Sequence, residues 1–325
     1  MNIVPANSET IAKAAEIIRN GGLVAFPTET VYGLGADGLN PIAVTKIFEV
    51  KKRPAFNPLI LHISQKEWIK KYANYNDERI DNIIEKFWPG PLTLVLPKTE
   101  IVPDIVTSGN PTVAIRMPDH KIALELIEKS NTPIAAPSAN KFGHLSPTQA
   151  EHVKKSLGDK VDLILDGGKC NIGLESTIVQ FFEGNFYLLR PGGLSKEEIE
   201  DKINCKLHLK LESKKPTAPG QLPFHYSPVK PIFFLNEESL KKYSNKKIGV
   251  LYFNEEKIQY DFASVKILSP SKDLREAAAN LFKYLHDFEK EEIDVILVEP
   301  IKEEGLGLAI MDRLKKAVKK YSDKI

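Results

Sequence analysis

Residues 23–63 read LVAFPTETVYGLGADGLNPIAVTKIFEVKKRPAFNPLILHI, and this stretch decides the fold because short apolar runs alternate with polar turns. Leu23–Phe26 is short and apolar, as in a buried strand. Asn40-Pro41 has the residue types of a helix N-cap and first helical position, which predicts a helix over Ile42–Val50. Leu59–Ile63 is a second apolar run and predicts another strand.

Hydroxyls, cations and a histidine lie where these elements end. Thr28-Glu29-Thr30 follows the first strand, Lys51-Lys52-Arg53 ends the helix, and His62 lies in the second strand. The ends of strands and helices are where α/β proteins place binding groups, so this pattern predicts a binding site. Two alternatives stay open: the cations could serve the helix dipole, and His62 could be a core histidine with satisfied hydrogen bonds.

The run Gly33-Leu34-Gly35-Ala36-Asp37-Gly38 matches the glycine pattern of dinucleotide-binding proteins. That pattern requires glycines directly after a strand, a helix opening on them, and an acid about 20 residues further on. Here six residues separate Phe26 from the first glycine, and a second turn precedes the helix. The spacing therefore disfavours a nicotinamide or flavin site. It favours a glycine-rich turn with positive φ, or a backbone packed closely on a neighbour.

Two later strings also place polar groups at strand ends. TVAIRMP, residues 112–118, predicts a strand that ends at Arg116. Arginine is rarely buried unpaired, so Arg116 is either a surface residue or a clamp whose geometry suits a carboxylate. APSAN, residues 136–140, puts Ser138 and Asn140 on a turn, where such residues are by themselves common.

Composition excludes several classes of protein. The chain has 325 residues, 42% of them hydrophobic and 27% charged, with a net charge of +2. The parts before and after residue 229 each carry +1, so no basic lobe attracts nucleic acid. Two cysteines, Cys170 and Cys205, are too few for a disulfide framework, and the chain has no signal-peptide pattern. We therefore expect a cytoplasmic protein without a membrane span.

The sequence also has no P-loop, no H-E-x-x-H and no G-x-S-x-G motif.

The pattern of elements predicts two domains joined by a linker. Residues 1–212 predict short strands with interspersed helices, which is typical of one mixed sheet. Residues 213–228 read SKKPTAPGQLPFHYSP, with four prolines and no apolar period, and predict a linker. Residues 229–325 alternate strand and helix, as in a small doubly wound domain. The sequence thus predicts an α/β protein.

Three helix starts are predicted from capping residues. Ser64 and Glu67 have the spacing of a capping box, and Asp119 is a candidate cap for the helix that follows TVAIRMP. Ser146-Pro147-Thr148 is the predicted start of the next helix.

Five strings together resemble the threonylcarbamoyl-AMP synthases, the YrdC-like enzymes: PTETVYGLGAD, KKRP, NPLILHI, TVAIRMP and APSAN. The resemblance implies a YrdC-like mixed, twisted sheet with helices. PGQLPFHYSP and the second domain resemble the two-domain form, whose C-terminal domain is Rossmann-like. The resemblance also implies an activity: the conversion of L-threonine, bicarbonate or CO2, and ATP to threonylcarbamoyl-AMP and pyrophosphate. That product serves the formation of N6-threonylcarbamoyladenosine in tRNA.

The resemblance also implies roles for individual residues. It assigns the ATP site to Lys51, Arg53, Asn57, Thr112, Ser138, Asn140, Ser146, Arg190 and Tyr226, of which Lys51, Arg53, Ser138 and Asn140 are catalytic. It assigns the L-threonine site to Thr30, His62, Arg116, Ala136 and Ser176. Mg2+ is expected on the ATP phosphates, with no ligand from a protein side chain.

The expected partner is a separate tRNA threonylcarbamoyl transferase complex, which takes over the product, so direct tRNA binding by this chain is not required. Two alternatives come from other classes. An RNA-binding module is disfavoured by the even charge. A carbamoyl-transfer maturation protein shares this domain but joins it to zinc-finger and acylphosphatase modules that the sequence does not have. The linker has its own alternatives: a cover that brings Tyr226 to the phosphates, or a passive tether.

Overall fold

The computed structural model describes residues 3–209 and 216–322. The strands are β1 (Ile3–Pro5), β2 (Val24–Phe26), β3 (Gly33–Asp37), β4 (Ile60–His62), β5 (Leu92–Pro97), β6 (Thr112–Arg116), β7 (Ile134–Ala135), β8 (Leu163–Asp166), β9 (Thr177–Phe182), β10 (Asn185–Arg190), β11 (Leu207–Leu209), β12 (Ile232–Phe234), β13 (Ile248–Tyr252), β14 (Ser264–Ile267) and β15 (Val295–Val298). The helices are α1 (Ser8–Arg19), α2 (Pro41–Lys51), α3 (Ile69–Tyr72), α4 (Glu78–Phe87), α5 (Asp104–Thr107), α6 (Lys121–Ser130), α7 (Ala150–Leu157), α8 (Lys196–Ile203), α9 (Glu237–Lys242), α10 (Leu274–Phe288) and α11 (Leu306–Ser322), and 3-10 turns cover Lys66–Trp68 and Gly158–Lys160.

Most of the chain is built on one mixed sheet. Within the described residues, β1 to β11 form an 11-stranded sheet in the order β1-β8-β2-β3-β7-β4-β6-β5-β9-β10-β11. Parallel pairs such as β4–β6 and β5–β9 stand beside antiparallel pairs such as β2–β3 and β5–β6. The predicted α/β fold with a large mixed sheet is therefore confirmed.

Helices cover both faces of this sheet, which explains why strand β2 is apolar at every position. Val24 and Phe26 of β2 belong to a buried cluster with residues of α1 and α6. Ala25, between them, belongs to the larger cluster on the opposite face, with residues of α2 and α4. Because successive side chains of a strand point to opposite faces, a strand buried on both sides has no polar position.

The glycine-rich run is a strand and not the expected turn. Gly33–Asp37 forms β3, which pairs with β2 on one side and β7 on the other. The prediction of positive φ was wrong, and the alternative of close packing was right. A Cβ built on Gly35 would lie 2.7 Å from Ile134 Cγ2 and 2.8 Å from Phe26 Cε1. The glycines let neighbouring side chains cross this strand.

The predicted helix caps before α6 and α3 were wrong. The residue before α6 is His120 rather than Asp119, and it makes no capping hydrogen bond with its side chain. The 3-10 turn before α3 is preceded by Gln65 rather than Ser64, again without a side-chain cap. Tertiary packing determines these helix starts in place of local capping.

The C-terminal domain contains a small parallel sheet. Within the described residues, four strands follow the order β12-β15-β13-β14, and all their pairings are parallel. This confirms the predicted second domain with a parallel sheet. Its apolar cluster includes residues of α10 and α11, and also Leu145, Leu174 and Tyr226 from earlier in the chain. The boundaries at residues 212 and 228 stay predictions.

The described part of the predicted linker, residues 216–228, is packed against the protein. Pro216, Ala218–Gly220 and His225–Pro228 are buried. Residues 213–215 of the predicted linker lie outside the described residues. A passive tether would not require such burial.

Across residues 3–209 and 216–322, no helix is both long and apolar enough to span a bilayer. Neither cysteine forms a disulfide, and Cys170 is buried. Burial raises the pKa of the Cys170 thiol to about 12, so this group is a packed thiol and not a nucleophile.

The close packing of β3 predicts the effect of a single methyl group. Gly35→Ala would push on Ile134 and Phe26, and we expect it to lower the free energy of unfolding by about 1–3 kcal/mol. Denaturant unfolding measures this, with Glu49→Ala on the exposed face of α2 as a control expected to change little. Equal stability of Gly35→Ala and the wild type would contradict the packing described here.

Candidate functional site

A cleft opens at the ends of the central strands, with about 540 Å³ of space that includes part of its solvent-filled mouth. Parallel pairing sets His62 of β4 beside Arg116 of β6 in register, so both strands deliver a polar side chain at the same edge. The wall includes these predicted residues: Thr30, Arg53, His62, Arg116, Ala136, Ser138, Ser176, Arg190 and Tyr226.

Arg116 is a buried cation at one end of the cleft. It is 3% exposed, and its Nη1 donates to Thr30 Oγ1 at 2.9 Å. Its Nε donates to the Gly90 carbonyl at 3.2 Å, and Nη2 lies 2.6 Å from Glu29 Oε1. The ion pair with buried Glu29 compensates the arginine charge, although its geometry is not that of an aligned hydrogen bond. The surface alternative for Arg116 is therefore wrong.

His62 is neutral in this site. Burial, and then the charge of Arg116, lower the pKa of His62 to about 3. Its Nδ1 has no hydrogen-bond partner, and the ring stands edge-on to Phe26 with centroids 6.3 Å apart. The alternative of a core histidine with satisfied hydrogen bonds is thus not what the structure contains. A neutral imidazole on the wall can exchange one hydrogen bond with a ligand but does not add positive charge.

Ser176 makes hydrogen bonds with two residues near the cleft, Thr93 and Arg190. Its hydroxyl lies 2.7 Å from Thr93 Oγ1, and its carbonyl accepts from Arg190 Nη2 at 2.7 Å. Arg190 is 4% exposed and also donates to the Pro219 carbonyl at 3.4 Å. The guanidinium of Arg190 therefore links the sheet to the residues that follow Pro216.

Arg53 is held rigidly by the loop that follows it. Its Nε donates to the Asn57 carbonyl at 2.9 Å, and its Nη2 donates to Asn57 Oδ1 and the Pro58 carbonyl, both at 2.7 Å. Burial lowers the pKa of Arg53 to about 9, so the group stays cationic at neutral pH. Asn57 is not on the cleft wall; it orients the arginine that is.

Lys51 lies behind the wall and not on it. It is 2% exposed, and its Nζ donates to the carbonyls of Ser138, at 2.5 Å, and Asn140. Burial lowers the pKa of this amine well below its usual value. The predicted contact of Lys51 with triphosphate stays a prediction, and its two hydrogen bonds go beyond a role at the helix end. Its visible role is to fix the turn that presents Ser138 to the cleft.

Three further predicted residues are not among those that line the cleft. Asn140 donates from Nδ2 to the carbonyls of Lys141 and His144, each at 2.9 Å. Thr112 is half-buried with an unpartnered hydroxyl. Ser146 does not cap α7, because the residue before that helix is Gln149 and it makes no side-chain cap. The prediction that Ser146 and Thr148 start α7 was wrong.

Glu175 is a charged wall residue that sequence reasoning missed. It accepts hydrogen bonds from the Ser146 hydroxyl and from Arg313 Nε, the latter at 2.8 Å. Burial alone would raise the pKa of Glu175, but Arg313, Arg190 and the Ser146 hydroxyl together hold it below its usual value. Glu175 directly precedes Ser176, which is a predicted site residue. This neighbouring position in the sequence was the signal that could have identified Glu175.

Residues 219–226 cover the cleft. Pro219, Gly220, His225 and Tyr226 are part of its wall, and Tyr226 adopts φ of 63°, which is uncommon for a large side chain. Burial, and then the charges of Arg53 and Lys51, lower the pKa of His225 well below its usual value. Burial raises the pKa of Tyr226 to about 12. The cover therefore places two uncharged rings, those of His225 and Tyr226, beside the cations of the cleft.

The donors of the cleft suit anions rather than a metal ion. In the part of the chain that the structure describes, no group of three or more His, Cys, Asp or Glu side chains is placed to hold a metal. Glu175, the carboxylate of the wall, is already bound to Ser146 and Arg313. A divalent cation fits this site only as the counterion of an anionic ligand.

Comparisons with known proteins agree with this architecture. Residues 16–192 match the family model of the Sua5, YciO and YrdC proteins, described as "Telomere recombination". Residues 194–318 match the model described as "Threonylcarbamoyl-AMP synthase, C-terminal domain". Threonylcarbamoyl-AMP synthase of Pyrococcus abyssi is 47% identical over 94% of this chain and 92% of its own length. The chain belongs to the threonylcarbamoyl-AMP synthase family.

Two further relatives show that the similarity extends over both domains. The family member of Bacillus subtilis is 42% identical over 96% of this chain and 93% of its own length. The crystal structure of P. abyssi Sua5 complexed with L-threonine superimposes with a TM-score of 0.90 and 43% identity, and covers 98% of each chain. The predicted family is therefore confirmed, including its two-domain form.

The buried pair of Arg116 and Glu29 leads to a prediction for stability. Glu29→Gln would leave a buried guanidinium without its counter-charge, and we expect a loss of about 3–5 kcal/mol in the free energy of unfolding. The control is Glu125→Gln, which removes an exposed pair with Lys129 and should cost less than about 1 kcal/mol. Equal losses for the two variants would mean that Glu29 does not compensate Arg116.

Proposed function

We infer that the chain is an L-threonylcarbamoyladenylate synthase, which joins L-threonine, bicarbonate or CO2, and ATP and releases pyrophosphate. One observation carries this inference: a guanidinium suited to a carboxylate and two suited to phosphates line the same cleft. Relatives of this name at 42–47% identity support it, as does the relative solved with L-threonine.

L-Threonine binds at the Arg116 end of the cleft. Arg116 takes the carboxylate, and its hydrogen bond to Thr30 keeps the guanidinium oriented. The unpartnered His62 Nδ1 and the Ser176 hydroxyl are available to the amine and the side-chain hydroxyl. The Ala136 backbone completes this end of the wall.

ATP binds at the opposite end, between Arg53 and Arg190 and beside Ser138. Lys51, Asn57, Asn140 and Ser146 act from behind by fixing the groups that touch the nucleotide. The half-buried Thr112 has an unpartnered hydroxyl for the nucleotide. Tyr226 closes over the phosphates from the cover.

The reaction has two bond-forming steps. The threonine ammonium loses a proton, its nitrogen attacks the carbon of CO2, and a second proton then leaves that nitrogen for water to give a carbamate. An oxygen of the carbamate then attacks the α-phosphorus of ATP, the bond from that phosphorus to the bridging oxygen breaks, and pyrophosphate leaves. An α-amino group has a pKa of roughly 8, so its deprotonation needs no strong base. The cleft contributes position and charge: Arg53 and Arg190 stabilise the charge that develops on the phosphates.

Mg2+ would enter with ATP, where it neutralises phosphate charge. The wall donors are cations and neutral hydrogen-bond donors, which suits the outer oxygens of such a complex. No protein ligand for the metal is part of the proposal.

The cover has a chemical purpose in this scheme. A carbamate and an acyl adenylate both hydrolyse, so synthesis requires a site that excludes water and later opens. The buried residues Pro219, Gly220, His225 and Tyr226 of that cover lie over the cleft, and Gly220 at φ of 87° allows the chain to turn over Arg190. We propose that a separate tRNA threonylcarbamoyl transferase complex takes the product in the cytoplasm, and that direct tRNA binding by this chain is not required.

The decisive experiment incubates the protein with ATP, Mg2+, labelled bicarbonate and single amino acids, and measures pyrophosphate and the labelled adenylate. We expect product with L-threonine and a rate with L-serine that is lower by roughly 10- to 200-fold, because a missing methyl group is worth about 1–3 kcal/mol. Equal pyrophosphate release with L-threonine and L-alanine, or pyrophosphate without labelled adenylate, would contradict the proposed function.

A further inference from the structure

Helix α11 of the C-terminal domain places a buried cation, Arg313, beside the cleft wall. Arg313 is 1% exposed and lies 138 positions from Glu175 in sequence, yet its Nε donates to Glu175 Oε2 at 2.8 Å. Glu175 in turn accepts from Ser146, and its side chain lines the cleft. Helix α11 thus contacts the wall through the buried guanidinium of Arg313.

The same helix also holds the cover. The Arg313 guanidinium lies over the Tyr226 ring, with 4.6 Å between Cζ and the ring centroid. One turn further on, Lys316 Nζ donates to the Gly220 carbonyl at 2.7 Å. Asp312 joins the two cations, because it accepts from Arg313 Nη1 at 2.6 Å and from Lys316 Nζ at 2.7 Å. The contacts of α11 therefore reach both ends of the cover.

Domain attachment alone does not explain a buried arginine here. Leu145, Leu174 and Tyr226 already join the apolar cluster of the C-terminal domain, and His286 Nε2 lies 3.1 Å from the Ser146 carbonyl. A buried ion pair is a poor source of net stability, since apolar residues of similar size often do as well. In addition, Arg313 Nη2 is buried without a hydrogen-bond partner, which an attachment contact does not require.

The contacts of Arg313 lie on one half of the site. The two wall residues that Arg313 contacts, Glu175 and Tyr226, both lie close enough to Arg190 for its charge to lower their pKa values, at the end proposed for ATP. Arg116 and Thr30, at the other end, have no contact with α11 among the described hydrogen bonds and ion pairs. Any effect of Arg313 should therefore differ between the two substrates.

We propose that Arg313 is a positioning residue through which the C-terminal domain sets the nucleotide half of the active site. It fixes Glu175, and with it Ser146, and it holds Tyr226 in the closed cover. The proposal rests on the proposed function, since its readout is the synthesis of the adenylate. It assigns to the second domain a role in ATP use and not in amino-acid recognition.

Arg313→Met tests the proposal with an apolar side chain of similar length. We expect the KM for ATP to rise, or kcat to fall, by about 10- to 100-fold, the range of a lost hydrogen bond to a charged group. The KM for L-threonine should change less than about threefold. Arg313→Lys, which keeps the charge without the planar fork, should recover part of the loss. Lys315→Met, at an exposed ion pair with Glu303 on the same helix, is the control and should behave as the wild type.

A second variant guards against loss of folding. Arg313→Met with Glu175→Gln removes both buried charges, so we expect its thermal midpoint to recover while its KM for ATP stays raised. Recovery of both quantities would reduce Arg313 to a structural contact and overturn the proposal, as would equal changes for ATP and L-threonine in Arg313→Met. Wild-type protein without adenylate synthesis would instead refute the proposed function.

Discussion

Buried positive charge is the constraint on which the arrangement of this molecule depends. Among the described residues, the buried Lys and Arg side chains are Lys51, Arg53, Arg116, Arg190 and Arg313, whereas the buried carboxylates are Glu29 and Glu175. Desolvation of so many cations is unfavourable unless opposite charge or hydrogen-bond acceptors surround them. The protein meets part of this need with backbone carbonyls around Lys51 and Arg53. Ligand anions would supply the rest.

The two buried carboxylates each compensate a cation at a different end of the cleft. Glu29 pairs with Arg116 at the end proposed for the amino acid, and Glu175 pairs with Arg313 near the nucleotide. Each pair leaves a guanidinium oriented but not fully bonded, since Arg116 Nη2 and Arg313 Nη2 have no hydrogen-bond partner. Preorganised donors of this kind stabilise charge without rearrangement during a reaction. The cover and the second domain then keep water away from that charge.

Sequence patterns predicted the elements and the groups at their ends, because both depend on local order along the chain. The strand around His62, the arginine at the end of β6 and the mixed sheet could all be inferred from neighbours in sequence. The contact between Glu175 and Arg313 could not, since it joins distant residues through tertiary packing. Residue types also gave a wrong local prediction. The glycine-rich run was expected to be a turn but forms strand β3, because large neighbouring side chains pack across it. The caps at Ser64, Asp119 and Ser146 failed because packing outweighs a single local hydrogen bond.

The most direct test of this account is the unfolding midpoint of the wild-type protein as a function of inorganic pyrophosphate concentration at constant ionic strength. If the buried cations require an anion, the midpoint should rise steadily with pyrophosphate, by an amount that corresponds to about 2.7 kcal/mol at a hundred times the dissociation constant. Chloride at the same ionic strength should have a much smaller effect. A midpoint that responds equally to pyrophosphate and to chloride would contradict the claim that the cleft is built around uncompensated positive charge.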